Sequence, residues 1–108
     1  MSKFPRSYQR FKNDHPKVWQ AYEALGAAAA EEGPLNAKVR ELVKLGMAAA
    51  NQSESAVISH THRALEIGAT IEEVDQAILL GITTIGFPAM MAALSWAHAA
   101  QEAHQNLL

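Results

Sequence analysis

The sequence contains no cysteine, and this absence removes several kinds of chemistry at once. Without a thiol, the chain forms no disulfide, binds no metal through thiolate and carries out no thiol redox reaction of its own. The absence does not by itself fix the cellular compartment. The basic N-terminal stretch lacks the apolar segment that follows in a signal peptide, so we expect a cytoplasmic protein.

Aromatic residues are also scarce, at 6% of the chain, although apolar residues make up 49% of it. Much of the apolar content is alanine, which lets helices approach closely but buries little area per residue. A domain of 108 residues with this composition gains from completing its core with another subunit. We therefore expect a single domain over residues 1–108 that assembles as a homo-oligomer.

The sequence has neither a strong charge of one sign nor a long apolar run. Nine basic residues are scattered among eleven acidic ones, for a net charge of −2, so we expect no nucleic-acid partner. The longest strongly apolar run, residues 77–82, is far too short to cross a membrane.

Apolar residues at helical spacing, interrupted by turn signals, predict an all-α protein: a compact bundle of about five to six helices. No segment alternates with a period of two over a useful length, so no strand is predicted. The predicted helices cover residues 4–12, 14–32, 37–50, 54–67 and 70–85, and a last helix runs from residue 87 to the C-terminus.

Several helix ends carry recognisable signals. Gly68 is a predicted helix stop, and Pro16 and Pro88 suit first-turn positions. Asp14, Asn36 and Ser53 are predicted N-caps, and Thr70 forms a capping box with Glu73.

The apolar stripes predict which faces point inward. On the helix over 54–67 the apolar stripe includes Ala56, Val57, Ala64 and Ile67, which puts His60 in the middle of the inward face. Gly81 lies on the apolar face of the next helix, where we expect close packing against another helix. One side of the last helix consists of Met90, Met91, Leu94, Ala97, His98 and Gln101.

Glu41 and His60 are the polar residues of greatest chemical interest. They lie on two consecutive predicted helices joined by a short turn, so an antiparallel hairpin can bring their side chains together. A carboxylate beside an imidazole orients its tautomer and makes a proton-transfer pair. A hydrogen-bonded structural pair in the bundle core is the alternative, and spacing alone favours it.

The other histidines and serines give weaker signals. His60 and His62 point about 200° apart on a helix, so they cannot chelate one ion, and we expect no metal and no cofactor. His98 and His104 are expected on a solvated or intersubunit face. Ser53 is more readily explained as a cap than as a nucleophile.

Four segments, in order, resemble the carboxymuconolactone decarboxylase family, which also contains the alkylhydroperoxidase D-like proteins. The ordered match spans roughly residues 34–95, and its segments read Leu35-Asn36-Ala37-Lys38-Val39-Arg40-Glu41-Leu42-Val43, then His60, then Gly68-Ala69-Thr70-Ile71-Glu72-Glu73-Val74, then Gly86-Phe87-Pro88-Ala89. The resemblance implies an all-α, alkylhydroperoxidase D-like fold and assembly as trimers or hexamers with sites near subunit contacts.

The resemblance also assigns roles by position. Peroxidase-like members carry Cys-x-x-Cys, then a histidine four residues later, with a proton-relaying glutamate upstream. Those positions fall on Ser53, Ala56, His60 and Glu41, so the relay residues are kept and both sulfur atoms are gone. Decarboxylase members lack the cysteine pair and act on a small lactone dicarboxylate with a histidine near the same place.

Three hypotheses follow. In the first, the protein is a non-thiol lyase or isomerase, or a binder, of a small organic acid, with His60 as general acid–base and Glu41 orienting it. Arg40 and His62 are then the candidate substrate-binding residues, and Lys38 and Arg63 are further available cations. In the second, the protein is a non-catalytic oligomeric scaffold or ligand binder. The third, an alkylhydroperoxidase-like activity, is disfavoured by the absence of cysteine.

Overall fold

The computed structural model describes residues 6–106 and confirms the all-α expectation. Within that range it contains six α-helices and one short 3₁₀ turn, and no strand. The helices are α1 (Arg6–Asp14), α2 (Pro16–Ala30), α3 (Ala37–Ala50), α4 (Glu54–Glu66), α5 (Ile71–Leu79) and α6 (Phe87–Asn106), with the 3₁₀ turn Leu80–Thr83 between the last two. Phe4, in the first predicted helix, and the two C-terminal residues lie outside the described residues.

The molecule divides into a helical core and an N-terminal arm. Helices α3 to α6 supply the buried apolar residues, which are Leu45, Ala48, Ala49, Val57, Ala64, Ala69, Val74, Ile78, Met90, Ala93, Ala97 and Ala100. Helices α1 and α2 pack against each other as the arm, and neither contributes a buried residue among those described. Glu41 and His60, the candidate functional pair, lie on α3 and α4 of the core.

Local signals explain where most helices begin and end. Asn36 accepts a hydrogen bond from the Val39 backbone N–H at 3.0 Å, and Thr70 and Glu73 form the predicted capping box. Gly68 follows α4 with φ of +99°, a left-handed conformation that glycine adopts without steric cost.

Two of the predicted caps differ in the structure. Asp14 is the last residue of α1, and His15 occupies the N-cap position of α2 without a side-chain capping bond. Ser53 is at the N-cap position of α4 but makes no side-chain capping bond either. Pro16 in the first turn of α2 has no N–H, so the start of this helix has one unpaired backbone donor fewer.

The helix predicted over 70–85 ends early, at Leu79. Gly81 and the β-branched residues after it have low helix propensity, and the chain continues as the 3₁₀ turn. The expectation that Gly81 packs closely on another helix is wrong. A methyl group there would meet only the side chain of Ile85, four residues along the same segment.

The inward face predicted for α4 is also wrong in part. Val57 and Ala64 are buried as expected, but Ile67 is 44% exposed and His60 is half-buried. The polar residues Ser59, Thr61 and His62 are buried instead. These three residues do not share one face of α4, since Ser59 and Thr61 point about 200° apart, and apolar periodicity cannot detect buried positions that are occupied by serine, threonine and histidine.

The side predicted for α6 is buried in part. Met90, Ala97 and Gln101 are buried, Met91 is 42% exposed, and His98 is exposed as expected. Gln101 donates a hydrogen bond to Asp75 of α5 at 2.8 Å, which gives this buried amide a partner.

No helix among the described residues is long and apolar enough to span a bilayer.

Candidate functional site

The antiparallel pair α3 and α4 brings Glu41 and His60 into direct contact. The turn between the helices is held by Gln52, whose side-chain amide donates to the carbonyls of Ala49 and Ala89, each at 2.9 Å. The two helices pack along their length, and His60 Nδ1 lies 2.8 Å from Glu41 Oε2. The contact between Glu41 and His60, which their spacing in the sequence permits, is therefore present in the structure.

The pair is neither fully buried nor freely solvated. The His60 and Glu41 side chains retain 20% and 16% of their exposure. Burial raises the pKa of Glu41, but the hydrogen bond with His60 and the charges of His60, Arg63 and Lys44 outweigh it. The pKa of Glu41 therefore lies below its ordinary value, and the carboxylate form is favoured at neutral pH.

The geometry also distinguishes the two imidazole nitrogens. A glutamate carboxylate is an acceptor, so contact with Nδ1 places a proton on that nitrogen. In the neutral ring this leaves Nε2 as the basic nitrogen. The arrangement can therefore take up a proton at Nε2 and stabilise the imidazolium that results.

A solvent-open cavity of about 330 Å³ lies beside the pair, and Glu41 forms part of its wall. His60 is not part of the lining and is hydrogen-bonded to Glu41, which is. The Glu41 carboxylate is therefore the member of the pair that faces the cavity directly. The charged residues of the lining are Glu41, Glu66, Arg40, Lys44 and Arg63. Three cations against two carboxylates give the lining a net charge of +1.

Arg40 and Arg63, two of the cations singled out in the sequence, thus lie at the cavity. Arg40 also donates a hydrogen bond to the carbonyl of Leu35, which fixes its guanidinium near the start of α3. Lys44 was missed by sequence reasoning. It lies three residues after Glu41, so it follows on the same helical face, and this spacing is the signal that would have found it.

The remaining sequence candidates lie elsewhere. Lys38 binds Glu73 at 2.9 Å and does not line the cavity. His62, a candidate substrate-binding residue, is 3% exposed and absent from the cavity wall. Its ring lies 5.9 Å from that of His104, which is half-buried rather than solvated. His98 is exposed, with Nε2 3.5 Å from an Asp75 carboxylate oxygen.

The positions that carry cysteine in peroxidase-like relatives lie in the first turn of α4. Ser53 precedes the helix and Ala56 is half-buried within it. Neither side chain can replace a redox thiol. No group of three or more potential metal ligands occurs among residues 6–106.

A helical core with a glutamate–histidine pair between two antiparallel helices agrees with the resemblance found in the sequence. The chain belongs to the carboxymuconolactone decarboxylase family, whose family model matches residues 16–99.

Two uncharacterized proteins are similar in sequence to this chain. An uncharacterized protein of Haemophilus influenzae is 44% identical over 59 residues, which are 55% of this chain and 52% of that protein. This chain therefore matches about half the length of that relative. An uncharacterized protein of Cupriavidus necator is 27% identical over 93 residues, or 86% of this chain and 82% of the relative.

The apo crystal structure of a carboxymuconolactone decarboxylase family protein from Legionella pneumophila has the same fold. It superposes with a TM-score of 0.78 over 92% of this chain and 88% of the Legionella chain, at 24% sequence identity.

Proposed function

We propose that the protein binds a small organic acid in the cavity beside Glu41 and transfers a proton to or from it with the Glu41–His60 pair. The reaction class is that of a lyase or isomerase working without a thiol. The observation that carries this proposal is the 2.8 Å bond between His60 and a glutamate that lines a cavity rich in cations.

The charges of the cavity favour an acidic ligand. Arg40, Lys44 and Arg63 attract a carboxylate, and the net charge of +1 is neutralised when one carboxylate enters. Arginine can bind a carboxylate through two parallel hydrogen bonds, which also fixes the orientation of the ligand.

The pair supplies the chemical step. When a carboxylate is lost as carbon dioxide, its bonding electrons remain on the substrate and one carbon must accept a proton. Glu41 contacts the ligand at the cavity wall. His60, hydrogen-bonded to Glu41 on the side away from the ligand, holds the proton. An isomerisation needs the same group twice, first as base and then as acid.

Turnover of carboxymuconolactone by the purified protein tests the enzymatic form of the proposal. We expect loss of the lactone to be catalysed, and the rate to fall in both His60→Ala and Glu41→Gln. Catalysis that is unchanged in both variants would contradict the proposal. Binding of succinate that is lost in Lys44→Gln, without any turnover, would instead support a ligand binder of the same acid class.

Assembly with further copies of the chain is part of the proposal. Val18, Tyr22 and Leu25 form a stripe on the outer side of α2 and are 57%, 63% and 68% exposed. Apolar side chains at this spacing on an uncovered helix face are typical of a subunit contact. We expect a homo-oligomer, a trimer or hexamer as in related proteins.

Light scattering after gel filtration tests the assembly. Leu25→Asp should lower the molecular mass toward that of one chain, whereas Gln20→Asp, also exposed on α2, should not change it. A wild-type protein that is monomeric, or a mass unaffected by Leu25→Asp, would contradict a subunit contact at this stripe.

A further inference from the structure

Arg63 belongs to two cavities at the same time. It lines the cavity beside Glu41, and it lines a second cavity of about 360 Å³ between the arm and α4. It follows His60 by three residues on α4, so the two side chains leave neighbouring points of one helix face. The two spaces therefore meet at one guanidinium group.

The second cavity has a different character from the first. Its lining includes Trp19 and Tyr8 of the arm, together with Lys12 and Glu23. It thus offers aromatic surface next to a cation, whereas the first cavity has no aromatic side chain in its lining.

Trp19 is held in place by the arm. Its ring centroid lies 6.4 Å from that of Phe11 and 5.8 Å from that of Tyr22, so aromatic neighbours on α1 and α2 fix its position. Trp19 is half-buried while Val18 and Gln20 beside it are exposed, and it shares the lining of the second cavity with Arg63 of α4.

We propose that the two cavities form one bipartite site for a planar aromatic carboxylic acid, with the carboxylate at Arg63 and the ring against Trp19. The inference rests on the proposed function and deepens it by naming the substrate class. Each cavity is about the size of a small-ligand site, and together they exceed the needs of a short aliphatic acid.

The chemistry of the lining explains both halves of this preference. A guanidinium has five N–H donors, so Arg63 can keep its contacts within the protein and still bind a carboxylate. An indole face binds a flat ring by stacking, and a saturated ring of similar size loses that contact. The carboxylate, once placed at Arg63, lies on the side of the site where Glu41 and His60 act.

The chain offers a direct optical test, because Trp19 and Trp96 are its two tryptophans. In Trp96→Phe, the fluorescence reports on Trp19 alone. Titration with benzoate should quench it saturably, and cyclohexanecarboxylate and benzamide should each bind at least about tenfold more weakly, since the first lacks the flat ring and the second the charge. Succinate is the aliphatic reference.

Three variants complete the test, with calorimetry as the readout. Arg63→Gln and Trp19→Leu should each weaken benzoate binding at least about tenfold, whereas Arg10→Gln, an exposed arginine paired with Asp14, should leave it unchanged. Arg63→Lys keeps the charge and should restore part of the affinity if Arg63→Gln perturbs folding, which circular dichroism would reveal.

The outcomes separate this inference from the proposed function. Binding of succinate equal to or tighter than that of benzoate would overturn the aromatic class and leave the acid site standing. Benzoate binding that is unaffected by both Arg63→Gln and Trp19→Leu would overturn the bipartite site. Binding of neither acid would contradict both proposals.

Discussion

His60 and His62 lie two residues apart on α4, yet they occupy opposite environments. His60 is half-buried, hydrogen-bonded to Glu41 and close to a cavity lined by cations. His62 is 3% exposed and faces His104 across the contact with α6. The difference follows from helix geometry, since residues at i and i+2 point about 200° apart. One face of α4 is thus suited to chemistry and the other to holding the bundle together.

The largest expected effect is a loss of catalytic rate when His60 is replaced. His60→Ala should lower turnover of carboxymuconolactone by about 10²- to 10⁴-fold, the usual contribution of a positioned acid–base group. Its unfolding free energy should fall by only about 1 kcal/mol, because Glu41 remains near solvent and near other cations. Steady-state rates and urea unfolding measure the two quantities. A rate equal to that of the wild type would show that the two faces do not differ in this way.

The second effect is on stability at the His62 face. His62→Ala removes a buried ring and should lower the unfolding free energy by about 2–4 kcal/mol. His98→Ala, at an exposed position of α6, is the control and should change it by less than about 0.5 kcal/mol. Equal losses in the two variants, or a loss of acid binding confined to His62→Ala, would contradict a purely structural role for this face.

Much of this contrast could be predicted from sequence, but the orientation of α4 could not. The caps at Asn36 and Thr70 and the approach of Glu41 to His60 follow from local spacing. The burial of Ser59, Thr61 and His62 depends on how α4 packs against α3 and α6, and that packing is not encoded in the pattern of α4. For the same reason His62 appeared as a candidate ligand residue on sequence grounds and lies away from the cavity.

The arm was the other feature that local patterns did not predict. The sequence predicted a helix over residues 14–32 and did not indicate what it packs against. In the structure α2 packs against α1 and leaves Val18, Tyr22 and Leu25 exposed. Periodicity reports that a face is apolar, but it does not tell whether the same chain or another one covers it. The homo-oligomer and the cytoplasmic location stay predictions.

A smaller effect, on the affinity for an acid, is expected when cations of α3 are replaced. It distinguishes a lysine that lines the cavity from a lysine elsewhere on the same helix. Lys44→Gln should weaken succinate binding by about fivefold, because one partly solvated charge contributes about 1 kcal/mol. Lys38→Gln, on the same helix but paired with Glu73, should leave the affinity unchanged. Isothermal titration calorimetry measures both, and equal losses would mean that general positive charge rather than the cavity attracts the acid.

The smallest effect is a pH dependence of stability at Glu41. Its pKa is lowered in the folded protein, so its contribution to stability is complete above its ordinary pKa of 4.5 and is lost as the pH falls through the lower folded value. The stability difference between the wild type and Glu41→Gln should therefore shrink as the pH drops below 4.5. Glu102→Gln, at an exposed position of α6, is the control. A difference that grows on acidification would contradict the sign of the pKa shift.

The most direct test of the distinction between the two faces is an NMR titration of the histidine side-chain nitrogens with succinate. His60 should carry its proton on Nδ1, and its ring signals should shift saturably as the acid enters the cavity beside Glu41, while those of His62 stay in place. Signals of His60 that do not move while those of His62 do would place the ligand on the wrong side of α4 and contradict the assignment of the site.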